Sequence, residues 1–481
     1  MEVSVRIRGH TLFLAAALLL LLAAPAAGRT VSIEEALQST KQNNITWKSL
    51  AESLVQIDSL RDTAIALFLP KISADVSWVH LGERHTPDMS GFADMGEFLG
   101  QLAMVAAMEH PDNTIVQGWD PSLFEDSGDS GSSFDNFVPV QDMLTGTFSL
   151  LIPIIDPTSI PFIQGAYDQY DAVVQRVGYG REQILYGVAK AYYGMLTVQN
   201  LITVSERSIE AANQHHKSAE VRASLQTATQ LEVKRAELEV TRSESQRVEF
   251  LAGLEQARAS FRYLTGLEGA IDLTRPALDV SAGEKPLDHW LDAARTQRKD
   301  LVASKIELLV AEHELTRVWM KYLPTLNLFG QATLDNNEKQ RFDDDPFNWS
   351  VGATLALTIW DGGIREAELR AAESKQRQAG MAVQDLQRKI QSEVEAAYQA
   401  LRDAEAVLKL AERQLEVAHA TQQLAKASEE AGVATSLEVI DANTMVFASE
   451  AQVLGARLGR AMAVLDLLSA CGSPVPFDEE K

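Results

Sequence analysis

Two ungapped internal repeats constrain this chain more than any other feature of its sequence. Ile33 through Pro70 realigns onto Leu287 through Pro324, so that Glu34 meets Asp288 and Leu37 meets Leu291. A second block, about 178–266, realigns onto about 384–472. It pairs Tyr192 with Tyr398, Glu206 with Glu412, Arg207 with Arg413 and Gly266 with Gly472. It also superposes Ala228, Thr229, Leu231, Glu232 and Val233 on Ala434, Thr435, Leu437, Glu438 and Val439. The chain is therefore a tandem duplication. Pro276, Gly283 and Pro286 break periodicity between the copies and place the boundary near 275–285. The expected division is residues 1–28 as a signal peptide, 29–280 as a first repeat and 281–481 as a second.

Each half reads as helix, strand, loop, strand, long helix, turn, long helix. The strands alternate with period two. Ile72, Ala74, Val76 and Trp78 oppose Ser73, Asp75 and Ser77; Phe148, Leu150, Ile152 and Ile154 oppose Thr147, Ser149 and Pro153. In the second half, Leu326, Leu328, Ala332 and Leu334 oppose Asn327, Gln331 and Thr333, and Val351, Ala353, Leu355, Leu357 and Ile359 oppose Ser350, Thr354 and Thr358. Such segments suit strands with lipid on one side and water on the other. Half-buried strands of a soluble sheet alternate in the same way, so this pattern alone leaves both readings open.

The helices tip the balance, although a soluble antiparallel coiled coil would carry the same seams. Val394, Ala397, Leu401, Ala404, Leu408, Ala411, Leu415 and Ala418 step by three and four, a sustained heptad seam. The first half repeats it as Val188, Ala191, Met195, Val198, Ile202, Ser205, Ile209 and Ala212. After the second-half turn a further seam is expected through Leu437, Ile440, Thr444, Phe447, Ala451, Leu454, Leu458, Ala461, Leu465 and Leu468. Its first-half counterpart is weaker, because Lys234, Glu255 and Arg262 fall on it. Helices over about 160–223 and about 364–430 measure roughly 95 Å at 1.5 Å per residue. That length needs helical neighbours throughout.

The N-terminus sets the compartment. Arg6 and Arg8 precede an apolar run from Leu12 to Leu22, followed by Ala24, Ala26 and Ala27. A basic start, an apolar core of roughly 11 residues and a small-residue site describe a secretory signal peptide. A spanning helix needs ~20 apolar residues. The formal net charge of −24 argues against nucleic acid or an anionic membrane surface as partner. The one cysteine, Cys471, excludes an intrachain disulfide and reads as a small buried residue. His215 and His216 are adjacent on a charged helix and read as solvated. No phosphate loop, His-Glu-x-x-His or Gly-x-Ser-x-Gly occurs, and neither an enzyme activity nor a cofactor or metal is expected.

Four strands cannot close a barrel, and an open sheet edge is not tolerated in hydrocarbon. Several copies must pool their strands; known membrane barrels have at least eight, and three copies give twelve. The same symmetry arranges the long helices as a hollow cylinder. The first-half interstrand loop, about 82–142, is long and acidic, with a possible short helix over 92–109, whereas Asp335 to Phe347 suffice in the second half. A lid over the mouth and an unstructured acidic loop are both open for it. The competing architecture is a soluble periplasmic coiled-coil adaptor or interaction protein.

In this order and duplicated, several segments resemble the TolC-like outer-membrane efflux family. They are Ser32 through Leu37 with Asn43 and Asn44, the paired Leu-Pro sites, Thr358 through Gly363, and Ala431 through Ala442. The resemblance implies a mainly α fold with a small β part: a trimeric α-helical barrel on a shared 12-stranded transmembrane β-barrel, four strands per chain. It implies an outer-membrane location with the helical part in the periplasm, and a passive exit duct for an efflux pump or type I secretion system. The implied partners are two further copies of the chain, a periplasmic membrane-fusion adaptor, an inner-membrane pump or transporter, and outer-membrane lipid.

Local chemistry gives the helical turns their meaning. Gly432 suits the left-handed backbone that ends a helix. Thr435 with Glu438, and Thr229 with Glu232, have the spacing of capping boxes. By resemblance, Ala228, Thr229 and Leu231, with Gly432, Val433, Ala434, Thr435 and Leu437, are where an adaptor docks. Glu438 and Asp441 share a helix face at i and i+3. Family members carry acids there as rings that constrict the lumen, so a gate and cation filter is expected at Glu438 and Asp441, with Glu232 nearby. An acidic first turn complementing the helix dipole is the simpler role. Where some family members hold the gate shut with a Tyr and an Arg, this chain has Glu429 and Ala434, which puts a lock of that kind in doubt. In the first half, Asp156-Pro157-Thr158 replaces the Asp-Gly-Gly of residues 361–363.

Overall fold

A computed structural model describes residues 29–80, 142–269, 271–274, 285–335 and 347–477. The N-terminal segment 1–28, the expected helix over 92–109 and nearly all of the acidic loop lie outside them. The first repeat comprises β1 (Arg29–Val31), α1 (Ile33–Asn43), α2 (Ile45–Ala66), β2 (Lys71–His80), β3 (Asp142–Ile155), α3 (Ser159–Ser224) and α4 (Gln230–Thr265). After β4 (Ile271–Leu273) the order returns as α5 (Leu287–Gln297), α6 (Lys299–Met320), β5 (Thr325–Asp335), β6 (Phe347–Ala356), α7 (Ile364–Glu430) and α8 (Ser436–Ala470). Helices α5 and α6 begin and end 254 residues after α1 and α2, and α7 ends 206 residues after α3. Sequence periodicity and chain geometry thus report one duplication.

The chain divides into two compact units, one of which joins residues 65–160 with 317–365. Its sheet runs β2-β3-β5-β6, antiparallel throughout. The register sets Ile72, Val76 and Trp78 beside Leu150, Gly146 and Leu144. Leu150 and Phe148 in turn lie beside Gly330 and Ala332, and these beside Val351 and Trp349. One face is therefore apolar across all four strands. The other carries Ser73, Asp75, Thr147, Ser149, Asn327, Gln331, Ser350 and Thr354. The apolar face is uncovered in the chain: Ile72 is 79% exposed and Val351 74%. Pro153, which has no N–H to give, sits at a bulge where the register skips Ile154. Strand β6 is shorter than its alternation predicts. It stops at Ala356, opposite Thr325, because β5 begins there, after Pro324. Leu357 and Ile359 lie beyond it, exposed.

The other unit joins the remaining helices and the parallel pair β1–β4. One core gathers Ile33, Leu37, Val188, Tyr192, Phe261 and Leu465; a second gathers Trp290, Leu301, Val394, Leu401 and Leu467. The Tyr192 hydroxyl lies 2.9 Å from the Val31 carbonyl and 2.7 Å from that of Thr274, so a buried polar group is satisfied at the parallel strand pair. Cys471 is buried, as expected.

The expected seams of α3 and α7 are the buried ones: Val188, Met195, Ser205 and Ala212 on one, Val394, Leu401, Ala411 and Ala418 on the other. That of α8 holds in part: Ile440 and Leu465 are buried, with Leu458, Ala461 and Leu468 packed on the first core. Toward the turn, Leu437 and Thr444 are exposed, and the neighbouring stripe Val439, Ala442, Val446, Ser449, Val453 and Ala456 is buried instead. Val453 and Ala456 pack with Ala411 of the hairpin partner α7. On α4, Lys234, Glu255 and Arg262 are exposed, and Ala236, Ser243, Leu254 and Phe261 are buried instead. A helix in a curved layer has neighbours on two sides. The most hydrophobic heptad stripe need not be the one turned to its hairpin partner.

Candidate functional site: the paired helical turns

The α3–α4 and α7–α8 turns share one backbone design. Thr227 N–H donates to the Arg222 carbonyl (2.9 Å) and Val433 N–H to the Ser428 carbonyl (2.9 Å), the six-to-one bond of a Schellman end. The left-handed residue is Gly432, at φ +72°, in the second turn and Gln226, at φ +61°, in the first. Both following helices open with complete capping boxes. The Thr229 hydroxyl accepts from Glu232 N–H while Glu232 Oε1 takes the Thr229 N–H (3.3 Å); Thr435 and Glu438 repeat the exchange at 3.4 Å.

Of the residues expected at an adaptor surface, Thr229, Leu231, Gly432, Val433, Thr435 and Leu437 are exposed, and Ala228 and Ala434 half-buried. Val433 is 84% exposed, and Leu225, which sequence reading passed over, joins the same apolar set. A helix-ending Leu beside Gln226 carries no periodic signal, and only its place in the repeat marks it. Glu438 and Asp441 are both exposed on α8. Glu438 is held by its cap, whereas Asp441 has no hydrogen-bond or ion-pair partner among the described residues. Glu232, half-buried, is likewise held by its cap.

Two contacts tie the hairpins together just inside the turns. Arg222 of α3 lies 2.7 Å from Glu429 of α7. Glu429, which stands where a lock residue was doubted, thus pairs across to the other hairpin. His215 corrects the sequence reading outright. It is buried rather than solvated, and its Nε2 lies 2.9 Å from Ser436 Oγ on α8. Burial lowers its pKa below the ordinary histidine value, and the nearby charge of Glu429 acts the other way. His216 remains only half-buried, near Glu220 on its own helix. Charged neighbours in sequence hid the pair's asymmetry: successive helical residues point about 100° apart, so one faces the seam and the other does not.

This duplicated hairpin architecture matches known proteins along almost its whole length. Residues 290–473 match the family model described as outer membrane efflux protein. In fold, the chain resembles a solved membrane protein from Pseudomonas aeruginosa, with a TM-score of 0.71 at 18% identity over 93% of this chain and 92% of that one. CusC aligns at a TM-score of 0.71 and 15% identity, over 94% and 95% of the two chains. By these matches the chain is similar to the outer membrane efflux proteins. Outer membrane protein OprJ of Pseudomonas aeruginosa is 26% identical over 64% of this chain and 65% of its own length. The cation efflux system protein CusC of Escherichia coli K12 is 24% identical over 59% and 63%. The aligned stretch thus spans just under two thirds of these relatives. Outer membrane protein TolC of Vibrio cholerae matches at 21% over 61% and 68%. These matches favour the membrane reading that strand alternation left open, since the relatives are named outer membrane proteins.

Proposed function

We propose that this chain is one subunit of a homotrimeric outer-membrane exit duct serving an efflux pump or a type I secretion system. The observation that carries this reading is the four-stranded sheet. Its edges, β2 and β6, pair with no other strand among the described residues, and one of its faces is apolar from edge to edge. An apolar face and two open edges are satisfied together when copies close a barrel in lipid. A soluble periplasmic adaptor would leave both to water.

The duplication also supports self-association through the helices. Within the chain, Arg207 of α3 reaches Glu450 of α8 at 3.4 Å. The repeat equivalents are Arg413 on α7 and Glu244 on α4, both exposed. Val407, Leu410, Val417 and Leu424 form an exposed heptad stripe on α7, and Leu231, Leu238 and Val248 are exposed on α4. In a ring, α7 of one copy meets α4 of the next as α3 meets α8 within each. Glu438 and Asp441 then recur around the axis with Glu232 near them as a cation-selective constriction. The exposed turn residues form the surface for a periplasmic adaptor that joins the duct to an inner-membrane pump or transporter.

The test is single-channel recording of the protein extracted from membranes and reconstituted in a planar bilayer. Cation-selective current, with selectivity lost in the double variant Glu438→Gln, Asp441→Asn, is the expected result. Protein that never inserts would sink the duct. Unchanged selectivity would leave the duct and remove the filter.

A further inference from the structure

His215 is an unusual residue to bury where two hairpins meet. Its ring and the Ser436 side chain share a hydrogen bond at 2.9 Å, and both residues are buried, at 9% and 6% exposure. Ser436 is the first residue of α8, the helix that bears Glu438 and Asp441. The contact therefore fixes the start of α8 against α3. Every packed element contributes charge around it. Arg222 lies on α3 itself, Lys426 and Glu429 on α7, and Glu232 at the start of α4. On α8, Ser436 makes the contact and Glu438 and Asp441 are the ionisable groups of the first two turns.

We propose that His215 is a proton-sensitive latch: neutral, it holds the α7–α8 hairpin against the α3–α4 hairpin at the turns, and protonated, it releases the start of α8. This regulation rests on the exit-duct reading of the same turns. The hydrogen bond itself survives protonation, because Nε2 remains able to donate to Ser436 Oγ. What changes is that a charge enters a dry crevice, at the positive end of the α8 dipole and beside Arg222 and Lys426. Glu429, held by Arg222 at 2.7 Å, favours the charged ring, but burial outweighs it. Separating the hairpins returns the imidazolium to water.

The sign follows from the direction of the shift. Burial lowers the docked pKa beneath the ordinary histidine value of 6.5 that applies once the ring is released. The released form therefore binds more protons, and the latch is fully held above about 6.5 and weakens as pH falls below it toward the docked pKa. Acidification frees the α8 turn that carries the acidic pair, and the constriction widens.

Single-channel conductance of the full chain, recorded from about pH 7.5 down to about pH 5, tests this. The wild-type current is expected to step up with a midpoint below 6.5. His215→Gln, neutral throughout, should lose the step and keep the neutral-pH conductance. Lys426→Gln removes one opposing cation and should move the midpoint to higher pH, a displacement that a merely structural histidine would not produce. A step that persists in His215→Gln, or an absent wild-type step, overturns the latch. If His215→Gln does not assemble, the Lys426→Gln midpoint decides, and an unmoved midpoint overturns the latch. No current from any form would instead defeat the duct reading. Hydrogen exchange at the first α8 turn in detergent then judges the latch: faster opening at low pH in wild type but not in His215→Gln supports it, and equal opening overturns it.

Discussion

Asn44 and Arg298 stand 254 residues apart and perform the same task with different chemistry. Each is the residue at which a short helix, α1 or α5, hands over to the longer α2 or α6. Asn44 Nδ2 donates to the Leu264 carbonyl at 2.8 Å, and Arg298 Nη1 donates to the Ala470 carbonyl at 3.2 Å. Those two carbonyls are themselves repeat partners near the ends of α4 and α8. A neutral amide suffices in the first repeat. In the second, a buried guanidinium also holds Asp300 at 2.6 Å and Glu393 at 2.5 Å.

The two sites should therefore respond differently to truncation. Arg298→Met strands the partly buried Asp300 carboxylate and is expected to cost about 3 kcal/mol, since breaking one side of a buried ion pair exceeds its net worth. Asn44→Ala loses two hydrogen bonds, that to the Leu264 carbonyl and that accepted from Trp47 N–H at 2.9 Å, and is expected to cost about 2 kcal/mol. Unfolding of the detergent-solubilised protein in denaturant gives both values, and a larger loss at Asn44 would contradict the account.

Gln226 holds a left-handed backbone that its repeat partner Gly432 holds at no steric cost. Gln226→Gly should stabilise the first turn by about 0.5–1 kcal/mol, and Gly432→Ala should destabilise the second by roughly 1 kcal/mol. Opposite shifts in melting temperature check the pair.

The Cys471 thiol is pushed up to about 12 by burial, with Arg298 only partly offsetting it. A maleimide should leave the native protein unlabelled across the neutral and mildly alkaline range, because the thiolate is the nucleophile. Labelling should go to completion after unfolding. Rapid labelling of the native form would show that the second core opens.

Arg413→Glu alone, or Glu244→Arg alone, should weaken assembly, because each places like charges at the proposed contact between copies. The double swap should restore much of it. Each exposed contact is worth only about 0.2–1 kcal/mol. The readout is the dissociation midpoint of the oligomer in detergent, where the difference repeats once per interface. Additive losses in the double swap would place the contact elsewhere.

Much of this fold was legible because the chain states it twice. The first repeat puts α1–α2 in register with α5–α6 but reads each pair as a single helix, without the break at Asn44 and Arg298. The two capping boxes are legible from Thr229, Glu232, Thr435 and Glu438. The strand faces follow from alternation, and the register only joined them into one apolar surface. What stayed hidden were properties of neighbours rather than of periodicity. The α8 stripe through Val439 and Val446 competes with an adjacent stripe of similar hydrophobicity. The ends of the strands depend on partners, as Pro324 shows for β6. The tie from Arg222 to Glu429 and the burial of His215 arise between helices more than 200 residues apart, where no local spacing points.

The open edges at β2 and β6 have a genetic consequence. A closed ring tolerates no defective member, so a chain damaged at either edge would spoil every ring it joined while still occupying a place in it. If the proposed ring of three closes through these edges, intact and edge-damaged chains made in equal amounts leave about one ring in eight wholly intact. Edge-damaging alleles of this gene should therefore be dominant negative, whereas alleles that prevent the chain from folding should be recessive.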